Sequence, residues 1–223
     1  MHLQQETLLQ GGKYRIEKVI GHGSFSIIYL AIDQNRKDKV IIKEFFLKGI
    51  NDTSLVDLYK KIDLCKKKFV REGKLLQKLN HKYIVKCIDV FDENNTSYYV
   101  TKLAAGVCLR DYLEQSTRFD TTLRISEYRS IHIIKLIAEA LDYLHKRGIC
   151  HLDVKPSNIM YHHVRTEGYD AIKVADSITL LDFACAASFD EAISGSYLEH
   201  SNTPQGFTKG YAPLEQISSF LPR

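Results

Sequence analysis

The chain has no C-x-x-C pair among its five cysteines, Cys65, Cys87, Cys108, Cys150 and Cys185. An odd set with no such spacing excludes a disulfide framework and a zinc knuckle, and fits a reducing compartment such as the cytoplasm. Cys150 and Cys185 are expected to be small buried hydrophobes. The sequence has no apolar run long enough to cross a bilayer. Its start, MHLQQETLLQ, has no basic stretch leading into an apolar one, so it is not a signal peptide. It also has little net charge, 31 Lys+Arg against 27 Asp+Glu, formally +4 over 223 residues. That balance suits an anionic ligand but is far from a dedicated nucleic-acid binder. The one basic run, Lys66-Lys67-Lys68 with Arg71 and Lys74, falls in a helical pattern and reads as a solvated face. There are no internal repeats and no low-complexity segments. What is there is ordinary: 44% apolar and 26% charged residues, enough for a proper core in one domain or two small lobes.

The hydrophobic pattern changes character part-way along. Short alternating or β-branched runs predict strands over 14–20, 27–32 and 40–46, with Gly21 and Gly23 separating the first two. A charged stretch, 48–57, reads as a loop. A helix is predicted over 58–79, with Phe69, Leu76 and Leu79 on one face and Glu72 sharing it. Strands follow over 85–91 and 97–103, joined by the turn formers Asp92-Glu93-Asn94-Asn95. Beyond Ala104-Ala105-Gly106 the pattern turns helical, with helices over 109–115 and 127–146. Ser126 is the expected N-cap of the second, Gly148 its stop, and Ile131, Ile134, Ile137, Leu141 and Leu144 its apolar stripe. Two lobes are therefore expected, 1–103 and 104–223, in an α+β fold. The first should be an antiparallel five-stranded sheet with one helix, the second mainly helical.

Several segments carry chemistry. Gly21-His22-Gly23-Ser24-Phe25-Ser26 lies between two predicted strands, where glycines let backbone amides approach an anion. A dinucleotide-binding loop would lead into a helix instead, so that reading loses. Lys43 stands in a run of β-branched residues and Glu72 on the apolar face of the next helix. Each misplaced charge explains the other as a buried pair. His151-Leu152-Asp153-Val154-Lys155-Pro156-Ser157-Asn158 places a proton acceptor, a cation and an amide oxygen on one loop. In 178–184, Asp182 ends an apolar strand, a natural position for a Mg²⁺ ligand.

Six segments in this order resemble a eukaryotic-type protein kinase catalytic domain. Gly21 to Ser26 matches G-x-G-x-F-S, Ile41-Ile42-Lys43 the lysine strand, and Glu72 the helix glutamate. His151 to Asn158 matches H-x-D-x-K-x-x-N, Asp182-Phe183 begins D-F-G, and Ala212-Pro213-Leu214-Glu215 resembles A-P-E. The wording of Lys43-Glu44-Phe45-Phe46 and of 210–216 is similar to bacterial serine/threonine kinases. The resemblance runs from about residue 14 to 216. It implies ATP and Mg²⁺ as cofactors and a protein substrate with a Ser or Thr hydroxyl.

It also implies roles. The cofactor-binding residues would be Ile20, Gly21, Gly23, Ser24 and Phe25 around the phosphates, and Lys43, held by Glu72, on the α- and β-phosphates. Thr101 aligns with the gatekeeper, and the backbones of Lys102 and Ala104 would meet adenine. Asn158 and Asp182 would be the metal ligands. The catalytic set would be Asp153, Lys155, Asn158 and Thr208, with Asp153 orienting the hydroxyl and Lys155 stabilising the transferring group. The alternative is a truncated or pseudokinase module that binds nucleotide or a partner without turnover.

Departures bear on regulation. Leu152 replaces an Arg that pairs with an activation-loop phosphate, which implies activity independent of such phosphorylation. Ala184 replaces the Gly of D-F-G, and Ser26 the third loop glycine. The segment 162–177 is a longer insert than the family's hairpin, with His162-His163 expected in an exposed loop. The family continues through several helices after A-P-E, whereas this chain stops eight residues after Glu215, so the resemblance implies a C-terminally truncated domain. The protein substrate and the oligomeric state stay open.

Overall fold

The computed structural model describes residues 2–23, 25–47, 55–118, 125–167, 172–194, 208 and 210–213. Ser24, most of the expected loop 48–57, and Leu214 and Glu215 lie outside them. The chain divides into two compact units, Met1–Asn80 with Lys86–Leu103, and His81–Val85 with Ala104–Arg223.

The first unit is a six-stranded antiparallel sheet with one helix. Its strands are β1 (Leu8–Leu9), β2 (Tyr14–Gly23), β3 (Ser26–Asp33), β4 (Asp38–Phe45), β5 (Cys87–Glu93) and β6 (Thr96–Lys102), in the order β1-β2-β3-β4-β6-β5. Five strands match the expectation. The sixth is the N-terminal pair Leu8–Leu9, too short to show periodicity. Strand β2 also runs further than the expected 14–20, because Gly21 and Gly23 stay in register with Ile28 and Ser26. The two ends of the sheet are tied to each other. Lys13 Nζ meets Asp89 Oδ2 at 2.6 Å, and Glu93 accepts the Gln10 N–H at 2.8 Å.

Alternation along the strands gives the sheet two buried faces. One carries Leu9, Tyr14, Ile16, Ile27, Tyr29, Ala31, Val40, Ile42, Tyr98 and Val100, with Leu3 packed against them. The other receives helix α1 (Leu55–Lys78), through Phe69, whose ring is tilted against those of Tyr99 and Phe45. The helix starts at Leu55, three residues before the expected start. Its buried face is Phe69, Glu72 and Leu76, as the spacing predicts. Gly73 lets it approach closely, since a Cβ there would lie 2.9 Å from the Tyr99 Cβ.

The second unit contains β7 (Val107–Cys108), α2 (Leu109–Arg118), α3 (Glu127–His145), β8 (Ile149–Cys150), a 3-10 turn (Pro156–Asn158), β9 (Ile159–Glu167), β10 (Ile172–Leu180), β11 (Ala187–Ser188) and α4 (Phe189–Ser194). Ser126 caps α3 by accepting the Arg129 N–H at 3.3 Å. The buried face of α3 is Ile133, Leu136, Ala140 and Leu144, which turn toward β10. The expected stripe is only partly in phase: Leu144 is buried, whereas Ile131 is 59% and Ile134 64% exposed. The helix is apolar on two sides, and periodicity alone does not say which side faces the sheet.

The described residues of the insert, 162–167 and 172–177, are strand rather than loop: they belong to the β9–β10 ladder, paired without interruption from Ile172↔Glu167 to Leu180↔Ile159. His163 sits on a strand, not in an exposed loop, and its Nδ1 lies 2.6 Å from Asp176 Oδ1. Asp176 also accepts from Tyr161 Oη at 2.9 Å. Burial alone would raise its pKa, but these hydrogen bonds hold it below the usual carboxylate range. Cys150 and Cys185 are only half-buried, unlike Cys65 and Cys87.

Candidate active site

In the first unit the register sets the charges. Lys43 pairs across the ladders with Ile28 and Tyr99, so its side chain shares the face of Tyr99. Its ammonium lies 5.2 Å from the Tyr99 ring centroid and 3.3 Å from Glu72 Oε1. Both partners are largely buried, a setting in which losing one costs about 3–5 kcal/mol. The misplaced charges of the sequence do meet, and the close approach at Gly73 is what lets α1 deliver Glu72.

Ile20, Gly21 and Gly23 lie along the end of β2, and Phe25 precedes β3. Ile20 is exposed, and a Cβ on Gly23 would come within 2.6 Å of Ser26 Oγ. Thr101 is buried on β6 opposite Ile41, and the Lys102 N–H is already used by Lys86 O at 2.9 Å. Ala104 opens the chain segment of the second unit, two residues before Gly106. Gly106 has φ +94, and a Cβ there would fall 2.1 Å from Tyr161 O, so only glycine seats β7 on β9.

In the second unit the catalytic candidates form one network. Asp153 Oδ1 accepts from Thr208 Oγ1 at 2.6 Å. Asp153 Oδ2 accepts from Asn158 Nδ2 at 3.0 Å and pairs with Lys155 Nζ at 2.7 Å. Lys155 Nζ also reaches Thr208 Oγ1 at 2.7 Å. A carboxylate offers about four lone-pair directions. Among the described residues three are taken, which leaves one on Oδ1 for an incoming hydroxyl.

Asn158 is buried, and its Nδ2 is committed to Asp153 twice, to the side chain and to the backbone oxygen at 2.9 Å. Its Oδ1 therefore faces away as a free hard donor. Asp182 is brought beside it by the hairpin base. Ile159 pairs with Leu180, and the Leu181 N–H donates to Asn158 O at 2.8 Å. An amide oxygen and a carboxylate fit a Mg²⁺ ion, which completes its shell with phosphate and water oxygens rather than a protein cage. Among the described residues no group of three or more His, Cys, Asp or Glu gathers for such a cage.

His151 has no role assigned from the sequence, yet it joins the two halves of this network. Its Nδ1 accepts the Asp153 N–H at 3.3 Å and its Nε2 lies 3.0 Å from Leu181 O. That pattern fits the neutral ring with the proton on Nε2. Burial pushes its pKa below the usual range. The ring also meets Phe183 edge-on, with centroids 4.6 Å apart. Only its place at the head of the loop motif hinted at this. Leu152 and Asp182 both adopt left-handed backbone, φ 64 and φ 58, a strain that collects at functional sites.

The sequence matches the family profile described as protein kinase domain over residues 14–219. The chain belongs to this family. A probable myosin light chain kinase of Dictyostelium discoideum is 30% identical over 147 residues, covering 66% of this chain and 33% of that protein. The serine/threonine-protein kinase PrkC of Bacillus subtilis is 26% identical over 202 residues, covering 91% of this chain and 26% of that protein. The chain thus spans about a third or less of the length of these relatives. A solved structure described as "PpkA-294 apo form" superposes with a TM-score of 0.70 at 22% identity, over 97% of this chain and 72% of its own, a likeness of fold.

Ala184 is exposed and follows the buried Phe183 in a turn closed by the Ala186 N–H on Phe183 O at 3.0 Å. The segment then pairs with the start of the catalytic loop, Ala187 with Cys150 and Ser188 with Ile149.

Proposed function

We propose that this kinase domain transfers the γ-phosphoryl group of ATP to a Ser or Thr hydroxyl of a protein substrate. The observation that carries the reading is the triangle of Asp153, Lys155 and Thr208, with Asn158 closing it. An acceptor with one open lone pair, flanked by a cation, is what an attacking hydroxyl needs. Asp153 orients that hydroxyl and takes its proton as the bond to phosphorus forms. Lys155 neutralises charge on the transferring group.

Lys43, held by Glu72, pairs the α- and β-phosphates, and Gly21, Gly23, Ser24 and Phe25 are the further phosphate-binding residues. Ile20 and Thr101 bound the base, which hydrogen-bonds the backbone near Lys102 and Ala104. Asn158 Oδ1 and Asp182 hold Mg²⁺, which when bound neutralises phosphate charge. An ATP-dependent reaction and cysteines that form no disulfide support a cytoplasmic setting. No described helix is long and apolar enough to cross a membrane.

The test is Mg²⁺-dependent ATP binding by calorimetry together with transfer from labelled ATP to a Ser/Thr substrate, for this chain and its Lys43→Ala variant. Binding and transfer, both lost in the variant, are expected. Binding without transfer would favour a nucleotide-binding module that does not turn over.

A further inference from the structure

The sheet of the first unit has two filled faces, and the reading above uses only one. Lys43 faces α1. Its neighbour Glu44 faces the opposite way, into the apolar layer that contains Ile27, Ile42 and Val100. Glu44 is nonetheless buried with its carboxylate there. Tyr29 Oη donates to its Oε2 at 2.5 Å and Tyr98 Oη to its Oε1 at 3.0 Å. Each phenol oxygen accepts in turn, from the Leu3 N–H at 3.0 Å and from Asn94 Nδ2 at 3.4 Å. Both phenol hydrogens are therefore committed to one acceptor-only group. Burial, first of all, pushes both phenols above their usual range, so they remain donors. An amide in place of the carboxylate would aim a donor at one of them.

This cluster bears on Lys43 through register. Glu44 stands opposite Ile27 and Tyr98, and Lys43 opposite Ile28 and Tyr99. A one-residue slip of β4 would exchange their faces and move Lys43 off Glu72. We propose that Glu44 is a positioning residue: anchored by Tyr29 and Tyr98 on the far face, it locks the register of β4 that sets Lys43 on Glu72. The proposal rests on the reading of Lys43 as the nucleotide lysine, and it extends the site to a layer that touches no substrate.

The test compares Glu44→Gln with Val100→Ala, which opens a cavity in the same layer without touching the carboxylate. Three quantities are read on the full chain: the stoichiometry of Mg–ATP binding, the transfer rate per bound nucleotide, and the carbon shift of ¹³C-dimethylated Lys43. In Glu44→Gln the stoichiometry should stay at the wild-type value while the rate per site falls about tenfold, equivalent to about 1.4 kcal/mol. The Lys43 signal should move. Val100→Ala should lower the melting temperature with the rate per site and the Lys43 signal unchanged.

If Glu44→Gln does not fold, Tyr98→Phe serves, with a loss of about threefold and a Lys43 shift in the same direction. An unmoved Lys43 signal in whichever variant folds overturns the proposal. So does an equal effect of Val100→Ala. The signal decides independently of turnover. A wild-type chain that binds no Mg–ATP would refute the proposed function while the Lys43 shift still judged Glu44.

Discussion

The two units hold their charges in different ways. In the first, Lys43 is ion-paired with the buried Glu72, and both stand on regular elements, a strand and a helix. In the second, Asp153, Lys155, Asn158 and Thr208 satisfy one another on a loop whose backbone is strained at Leu152. A buried ion pair on regular elements is costly to break, because a charge held out of water loses a close opposite charge. A mutual network is redundant toward its outer members, because the rest still meet. Redundancy does not extend to Asp153, on which every other member converges.

The largest effect should follow from breaking that centre. Asp153→Asn should lower the transfer rate by about 10²–10⁴, with Mg–ATP affinity within a few-fold of wild type, measured with labelled ATP and calorimetry. Lys43→Ala comes next. It takes the Lys43 ammonium away from the buried Glu72 and should cost about 3–5 kcal/mol of stability, read by denaturant unfolding. Thr208→Val tests the redundancy. Lys155 and Asp153 remain paired, so the loss should be near 1 kcal/mol, about fivefold in rate. A loss as large as that of Asp153→Asn would show that the network is not redundant.

Acid should separate the two units. His151 is held neutral by burial, with its pKa below the usual value, and His81 is likewise lowered, by burial and then by Lys82. The unfolded chain binds the proton more readily, so stability is full above about pH 6.5 and falls as pH drops below it. In the first unit, burial raises the Asp89 pKa but hydrogen bonds from Lys13 and Tyr14 outweigh it, and the result is lowered. Its contribution is present above about pH 3.9 and is lost only as pH falls further. Hydrogen exchange at pH 7.5 and 5.5 should therefore show α3 and the catalytic loop loosening while β2 to β6 stay protected. Loosening of the sheet first would break the comparison. The smallest expected effect is none at all: phosphatase treatment should leave the transfer rate unchanged, because Leu152 offers no guanidinium to a phosphothreonine. A rate abolished by the treatment would show another cation in that role.

Much of the site was legible because its residues are anomalies in local context. Lys43 among β-branched residues and Glu72 on an apolar helix face are misplaced charges of opposite sign, and each explains the other. The α1 face and the Ser126 cap were legible for the same local reasons. What escaped depends on contacts distant in sequence. Leu8–Leu9 is a strand only because Tyr14 and Arg15 are there to pair with it. The phase of α3 is decided by β10, and His162 and His163 are on a strand because residues 176 and 177 lie opposite. Glu44 looked like one more polar residue of a strand, since the phenols that bind it come from β3 and β6.

The N-terminal turn that joins Lys13 and Gln10 to Asp89 and Glu93 has a consequence for how this protein meets other chains. An open sheet presents a row of bare amides and carbonyls at each margin, and such margins recruit foreign strands into aggregates. Here the margin at β1 is two residues long, and the margin at β5 carries acidic side chains already engaged by the opposite end. The sheet that carries Lys43 is in effect its own neighbour, and it resists being extended by another chain.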